Sequence, residues 1–216
     1  MIYHGSMTIE KFDNIYIICA HPDDEVIFFG PFLRYHNPLN SHFVTCLTCS
    51  DNIIRRSEFV YFLSSLKIKH KIFNFPIKRG FNIFLILKYF LFLIKNFHTA
   101  NGKTLIITHS IYGDDHFHPQ HIFLSFACLL LAKSCNYSLI NSNNHEAALL
   151  YLRTLKLSFT KILKVSLFKL SLFIYRSNVI MTCNKSTLDF ATMAYKSQNL
   201  GYPSFLSNKF TFTKLF

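Results

Sequence analysis

Two apolar runs constrain this chain most, because each ends in a loop dense with metal-binding and proton-accepting side chains. The first, Ile15-Tyr16-Ile17-Ile18-Cys19, feeds Ala20-His21-Pro22-Asp23-Asp24-Glu25, and residues 26–35 follow with helical spacing. The second, Leu105-Ile106-Ile107, precedes His118-Pro119-Gln120-His121, and residues 122–132 again show helical spacing. Short continuous apolar runs bounded by loops read as strands buried on both faces. A strand end feeding a loop at a helix start is where open α/β sheets carry their chemistry.

The rest of the chain fits the same alternation. Residues 42–49 read as a second strand, 55–66 as a helix, 70–75 as a third strand and 104–108 as the fourth. Residues 178–183 read as a late strand. Residues 186–199 read as a helix whose Ser186 and Asp189 resemble a capping box. Gly30-Pro31 interrupts the first helical pattern, and Asn37-Pro38-Leu39-Asn40 is a turn. With 216 residues there is enough chain for one real core and less than two typical domains need. The expectation is a single domain over residues 1–216, of α/β class: a Rossmann-like three-layer sandwich with a mainly parallel sheet and right-handed crossovers.

The loops then define a candidate site. If His118 and His121 lie in the first turn of their helix, their three-residue offset puts both on one face. Two strand ends would present His21, Asp23, Asp24, His118 and His121 to one crevice. The simplest arrangement has His21, Asp24 and His121 holding a zinc ion with one position left for water. Asp23 would hold and deprotonate that water, and His118 would stabilise an oxyanion or protonate a leaving group. Each half alone has a duller reading. Acidic residues at a helix start interact favourably with its dipole, and an early helical proline is ordinary punctuation. The imidazole of His21 has no capping job, however, and both halves fall in register with the alternation. His109 and His116 flank the second motif and read as loop or rim residues. Arg55 either pairs with Glu58 at helical spacing or binds a substrate phosphate.

In that order, these residues resemble the AHPDDE and HPxH boxes of the zinc-dependent de-N-acetylases of the PIG-L/LmbE family. The resemblance implies zinc, or another divalent cation, on His21, Asp24 and His121, with Asp23 as general base and His118 as transition-state stabiliser. Arg55 and Glu58 match an R-x-x-E pair, and Phe75-Pro76 sits where eukaryotic members have a DFP-like segment. Residues 195–216 look like the hydrophobic-aromatic tail of the eukaryotic enzymes. Those enzymes act on N-acetylglucosaminyl-phosphatidylinositol in the second step of GPI-anchor synthesis. The resemblance therefore implies a glycolipid substrate, met at the cytoplasmic face of the endoplasmic reticulum membrane by a peripherally attached enzyme. A soluble N-acetylglucosamine conjugate is the alternative substrate. A non-catalytic basic membrane-associated protein with a decayed site is the alternative class. There are departures from the pattern. Ser110 stands where the family often has an aspartate, Gln120 replaces the acid of the usual HPDH, and the stretch from Thr108 to His118 is slightly longer. The Gln120 change is expected to leave His118 short of a carboxylate neighbour, which Asp114 or Asp115 would have to supply.

Charge bears on partners. Lys and Arg number 23 against 11 acidic residues, a net charge of +12, which favours phosphate-bearing partners. No nucleic-acid module accompanies that charge, so an anionic membrane surface is expected and nucleic acid is not. Residues 1–11 lack the apolar core of a signal peptide, so membrane contact is expected from elsewhere. Residues 81–97 are apolar but carry Lys88 centrally, which disfavours a span and favours a crossover helix over an interfacial one. Residues 157–175, with Lys161, Lys164 and Lys169, suit an interfacial helix or a helix packed on the sheet. Six cysteines are scattered; Cys46-x-x-Cys49 has no second pair, and buried free thiols are the expectation.

Overall fold

The computed structural model describes residues 11–34, 41–49, 51–75, 83–97, 101–113, 117–142, 164, 166, 178–182, 185–198 and 209–214. Its sheet is built on the two apolar runs. β1 (Asn14–Cys19) is central and pairs in parallel with both β2 (Ser41–Cys46) and β4 (Thr104–Thr108). β3 (Lys69–Ile72) pairs in parallel with β2, and β5 (Ser138–Ser142) in parallel with β4. Two further strands, β6 (Asn178–Thr182) and β7 (Lys209–Lys214), complete the order β3-β2-β1-β4-β5-β7-β6; β7 runs antiparallel to both its neighbours.

The alternation along β1 and β4 explains the layers. Ile15, Ile17 and Cys19 share one apolar cluster with Leu105 and Ile107, and α2 (Ile53–Ser65) and α5 (Lys185–Ala194) cover that face through Phe59, Phe62, Leu63, Leu188 and Ala191. Ile18 and Ile106 point the other way, into a second cluster under α3 (Ile83–Phe97) and α4 (Pro119–Cys135). Side chains on a strand alternate faces, so a strand buried on both sides must be apolar at every position. This is the expected α/β three-layer arrangement with a mainly parallel sheet.

The order β3-β2-β1-β4-β5 reverses direction between β1 and β4. At such a switch point the two following loops leave on opposite sides and open a crevice above the strand ends. Residues 20–25 meet residues 109–113 and 117–121 there.

Some elements follow the expectation in detail and others depart from it. The helix after β1 is short, as the Gly30-Pro31 interruption implied: α1 (Asp24–Ile27) gives way to a 3-10 turn over Gly30–Arg34, where Pro31 cannot continue the ladder. α3 is a crossover helix; Leu85, Tyr89, Leu93 and Phe97 form its buried stripe and Lys88 is exposed. β5 was not foreseen, because only Leu139 and Ile140 are apolar between Ser138, Asn141 and Ser142. Residues 209–214 of the aromatic tail are a strand inside the sheet, held between β5 and β6. Of residues 157–175 only Lys164 and Ser166 fall within the described residues; Gly201-Tyr202-Pro203, His116, Asp114 and Asp115 lie outside them. Among the described residues no helix is long and apolar enough to cross a membrane. Cys19, Cys46, Cys49 and Cys128 are buried free thiols.

Candidate functional site

The loop after β1 is shaped by Asp23, which takes a left-handed conformation (φ 96°) directly before α1. For a residue with a Cβ this costs on the order of 1–3 kcal/mol and persists only where the surroundings enforce it. They do so from three sides. The Asp23 amide donates to Glu25 Oε2 at 3.1 Å, and the Arg55 Nη2 donates to Pro22 O at 2.8 Å and to Asp23 Oδ1 at 3.3 Å. Glu25, wholly buried, accepts in turn from the Tyr195 hydroxyl beyond the end of α5.

The turn aims Asp24 inward. Its Oδ2 accepts the His21 amide at 2.7 Å and lies 3.3 Å from His21 Nδ1, 3.4 Å from His121 Nε2 and 3.2 Å from His109 Nε2. The second loop delivers its imidazoles from the N-terminus of α4. His118 is the N-cap in extended conformation, Pro119 opens the helix, and His121 follows one turn in, so the helix start fixes their spacing. Gly113 makes the approach to this helix. Its φ is +81°, and a Cβ there would meet the His118 backbone N and O at 2.7 Å. His118 N donates to Gly113 O at 2.8 Å.

Three donor atoms form a near-equilateral triangle: His21 Nδ1 to His121 Nε2 is 3.2 Å, His21 Nδ1 to Asp24 Oδ2 is 3.3 Å, and Asp24 Oδ2 to His121 Nε2 is 3.4 Å. A tetrahedral site with bonds of about 2.0–2.1 Å has edges of about 3.3 Å. Two imidazoles and a carboxylate at that spacing fit a divalent ion of zinc type. His118 lies near enough to join His21 and His121 around an ion, and His109 near enough to join Asp24 and His121, each set within 4.8 Å. Among the described residues the buried His118 Nδ1 has no protein partner, as expected beside a site that takes a further ligand.

The electrostatics separate the two aspartates. Burial would push the Asp24 carboxyl up, but His121, His109 and His21 outweigh it and hold it well below the usual range. Asp23 is raised to about 7, by burial first and by Asp24 second, against the opposing pull of Arg55, His21 and His121. One carboxylate is therefore a permanent anion and its neighbour a group poised to exchange a proton near neutrality. Burial, with His121 and His21 adding to it, lowers His118 to about 3, so its imidazole is neutral at physiological pH.

The structure thus brings His21, Asp23, Asp24, His118 and His121 to one crevice. Arg55 sits beside Asp23 rather than against Glu58, which instead accepts from the amide and hydroxyl of Ser197. Sequence reasoning placed His109 at the rim. It is wholly buried, stacked on His121 with ring centroids 3.8 Å apart, and its Nε2 lies 3.1 Å from the Ala20 amide. Its position directly after β4 was the available signal, since strand ends at a switch point face the crevice. Gln120, which stands in place of an acid, reaches His21 Nε2 with its Oε1 at 2.5 Å. Ser110 closes its own turn, its Oγ accepting from Tyr112 N at 3.3 Å and its carbonyl from Gly113 N at 3.0 Å.

The fold is one found among deacetylases of known structure. A deacetylase of the teicoplanin biosynthesis pathway superposes with a TM-score of 0.63 at 12% identity, covering 93% of this chain and 97% of that one. The A40926 pseudoaglycone deacetylase superposes with a TM-score of 0.64 at 15% identity, covering 93% and 96%. A conserved protein of Thermus thermophilus gives 0.53 at 15% identity, covering 88% and 82%. No family model matches the sequence, and no curated protein matches it. At these identities the likeness is one of fold.

Proposed function

We propose that this chain is a metal-dependent de-N-acetylase of N-acetylglucosaminyl-phosphatidylinositol, producing glucosaminyl-phosphatidylinositol and acetate. The observation that carries the reading is the donor triangle of His21, Asp24 and His121, with Asp23 beside it, at the switch point of a fold shared with deacetylases. His21, Asp24 and His121 would hold a zinc ion, which would supply a Lewis acid for the acetamide carbonyl and make water easier to deprotonate.

The chain's own residues do the rest. Asp23 accepts a proton from the attacking water, and the water oxygen bonds to the acetyl carbon. The neutral imidazole of His118 offers an N–H to the developing oxyanion, a hydrogen bond that strengthens as charge accumulates. As the carbon–nitrogen bond breaks, the proton on Asp23 passes to the departing nitrogen, leaving acetate and a free amine. Arg55 holds Asp23 in line. Among the described residues its Nη1 has only a 4.0 Å contact, to Cys49 Sγ, and is the group we assign to a substrate phosphate.

The lipid part of the proposal draws on the net charge of +12 and on the resemblance of the motifs to the eukaryotic enzymes. It places the protein peripherally on the cytoplasmic face of the endoplasmic reticulum membrane. A soluble N-acetylglucosamine conjugate is the second reading, favoured by the pairing of residues 209–214 into the sheet as β7. Liposomes containing the glycolipid, compared with soluble N-acetylglucosamine conjugates and each run with and without a chelator, test both. Chelator-sensitive release of acetate from the lipid supports the proposal. Preference for the soluble conjugate defeats its lipid part, and no release from either defeats the whole.

A further inference from the structure

We infer that Gln120 is a positioning residue for the metal centre: it accepts the Nε2–H of His21 and so selects the tautomer whose Nδ1 lone pair faces the donor triangle. The inference rests on the metal-dependent reading above.

A neutral imidazole carries one N–H, and a ligand nitrogen must be the other one. His21 presents Nδ1 to Asp24 Oδ2 at 3.3 Å and to His121 Nε2 at 3.2 Å. Left to itself, the permanent negative charge on Asp24 would draw the proton to Nδ1, into the position an ion needs. Gln120 Oε1, at 2.5 Å from Nε2, provides the competing acceptor on the far side of the ring. The Gln120 side chain is itself fixed. It lies in the first turn of α4 and is buried.

Two features show that the amide serves the site rather than the core. Its Nε2 is buried without a protein partner among the described residues, a penalty that an apolar side chain of the same shape would avoid. And an amide, unlike a carboxylate, has two faces. Turned over, it would present its NH2 to His21 Nε2, demand the opposite tautomer and put a proton where the ion goes. Only the orientation with Oε1 towards Nε2 is compatible with a ligand at Nδ1. The replacement of an acidic residue at this position, which looked like decay in the sequence, leaves the acceptor in place without adding a buried charge.

The test uses the full chain. Zinc dissociation constants are measured by competition with a chromophoric chelator for the wild type, Gln120→Met and Gln120→Glu. In parallel, histidine-15N-labelled wild type is loaded with cadmium-113 and read by NMR. The inference predicts a weakening of about 10–100-fold for Gln120→Met, as for other groups that orient a ligand histidine. It predicts affinity near wild type for Gln120→Glu, and cadmium coupling to His21 Nδ1 with the proton retained on Nε2. Zinc binding by folded Gln120→Met equal to wild type, or cadmium coupling to His21 Nε2, overturns it. Should Gln120→Met not fold, the coupling pattern of the wild type decides alone. A wild type that takes up neither zinc nor cadmium overturns the metal-dependent reading itself. Normal loading with the wrong nitrogen coupled overturns only the role of Gln120.

Discussion

Tyr195→Phe removes one oxygen from a wholly buried ring and leaves its packing on Phe62, 5.5 Å away between centroids, intact. What is lost is the hydroxyl that donates to Glu25 Oε1 across 170 residues of sequence. Glu25 is then left with the Asp23 amide, 3.1 Å from its other oxygen, as its donor. A hydrogen bond to a charged group contributes about 1.5–3 kcal/mol and one to a neutral group about 0.5–1.5 kcal/mol. The loss therefore depends on the protonation of Glu25. Burial raises that carboxyl from 4.5 to about 8, against the Tyr195 hydrogen bond, which lowers it, and with Asp23 adding to the rise. Because the folded value lies above the unfolded one, the stability linked to Glu25 is fully present below pH 4.5 and is lost as pH climbs through about 8. Removing the phenol raises the carboxyl further and steepens that loss. Urea unfolding of the metal-free wild type, Tyr195→Phe, Glu25→Met and the double variant, at about pH 6 and about pH 9, closes a double-mutant cycle at each pH. The expected coupling is about 1 kcal/mol at the lower pH and about 2 kcal/mol or more at the higher. A coupling within about 0.3 kcal/mol of zero, or one that is the same at both, would refute the argument.

Asp23→Asn should keep its metal and lose turnover by about 10²–10⁴-fold, the usual contribution of a general base; wild-type turnover in a metal-loaded variant would sink the assignment. Activity should rise with pH as Asp23 deprotonates. Because Arg55 opposes the upward shift of that carboxyl, Arg55→Gln should move the acidic limb of the rate profile to higher pH, and an unmoved midpoint counts against their pairing. Gly113→Ala should cost on the order of 1–3 kcal/mol in chelator-treated protein, since the new Cβ meets the His118 backbone at 2.7 Å from a left-handed conformation. An unchanged melting temperature would contradict the turn's role in seating His118.

Much of the fold was legible because the central strands hold short continuous apolar runs bounded by loops, the pattern of a strand covered on both faces. Ile15 to Cys19 and Leu105 to Ile107 announced β1 and β4, and the loops after them announced the crevice. The rest was hidden for physical reasons. β5 stabilises polar positions through tertiary bonds; Asn141 Nδ2, for instance, donates to His109 O and to Ser125 Oγ, and nothing local predicts either. β7, by contrast, carried a readable signal, the strand-period alternation Phe210-Thr211-Phe212-Thr213; its place between β5 and β6 did not follow from it. At the site, ligand types and spacing could be read from the sequence, but the carboxylate–phenol pair of Glu25 and Tyr195 could not, because each residue alone looks ordinary. The reach of Gln120 was hidden for a related reason. It stands between His118 and His121 in the sequence, yet the helix turns its amide towards His21, which is 99 residues away.

In the proposed enzyme the loops after β1 and β4 close around one shared ion. Elemental analysis of the purified full chain, with His21→Ala and His121→Ala alongside, is the decisive check. A single tightly held equivalent of zinc is expected in the wild type, with loss of that metal from either variant although the two residues belong to loops far apart in the sequence. Metal-free wild type that gains nothing on adding zinc, or a variant that keeps a full equivalent, would contradict it.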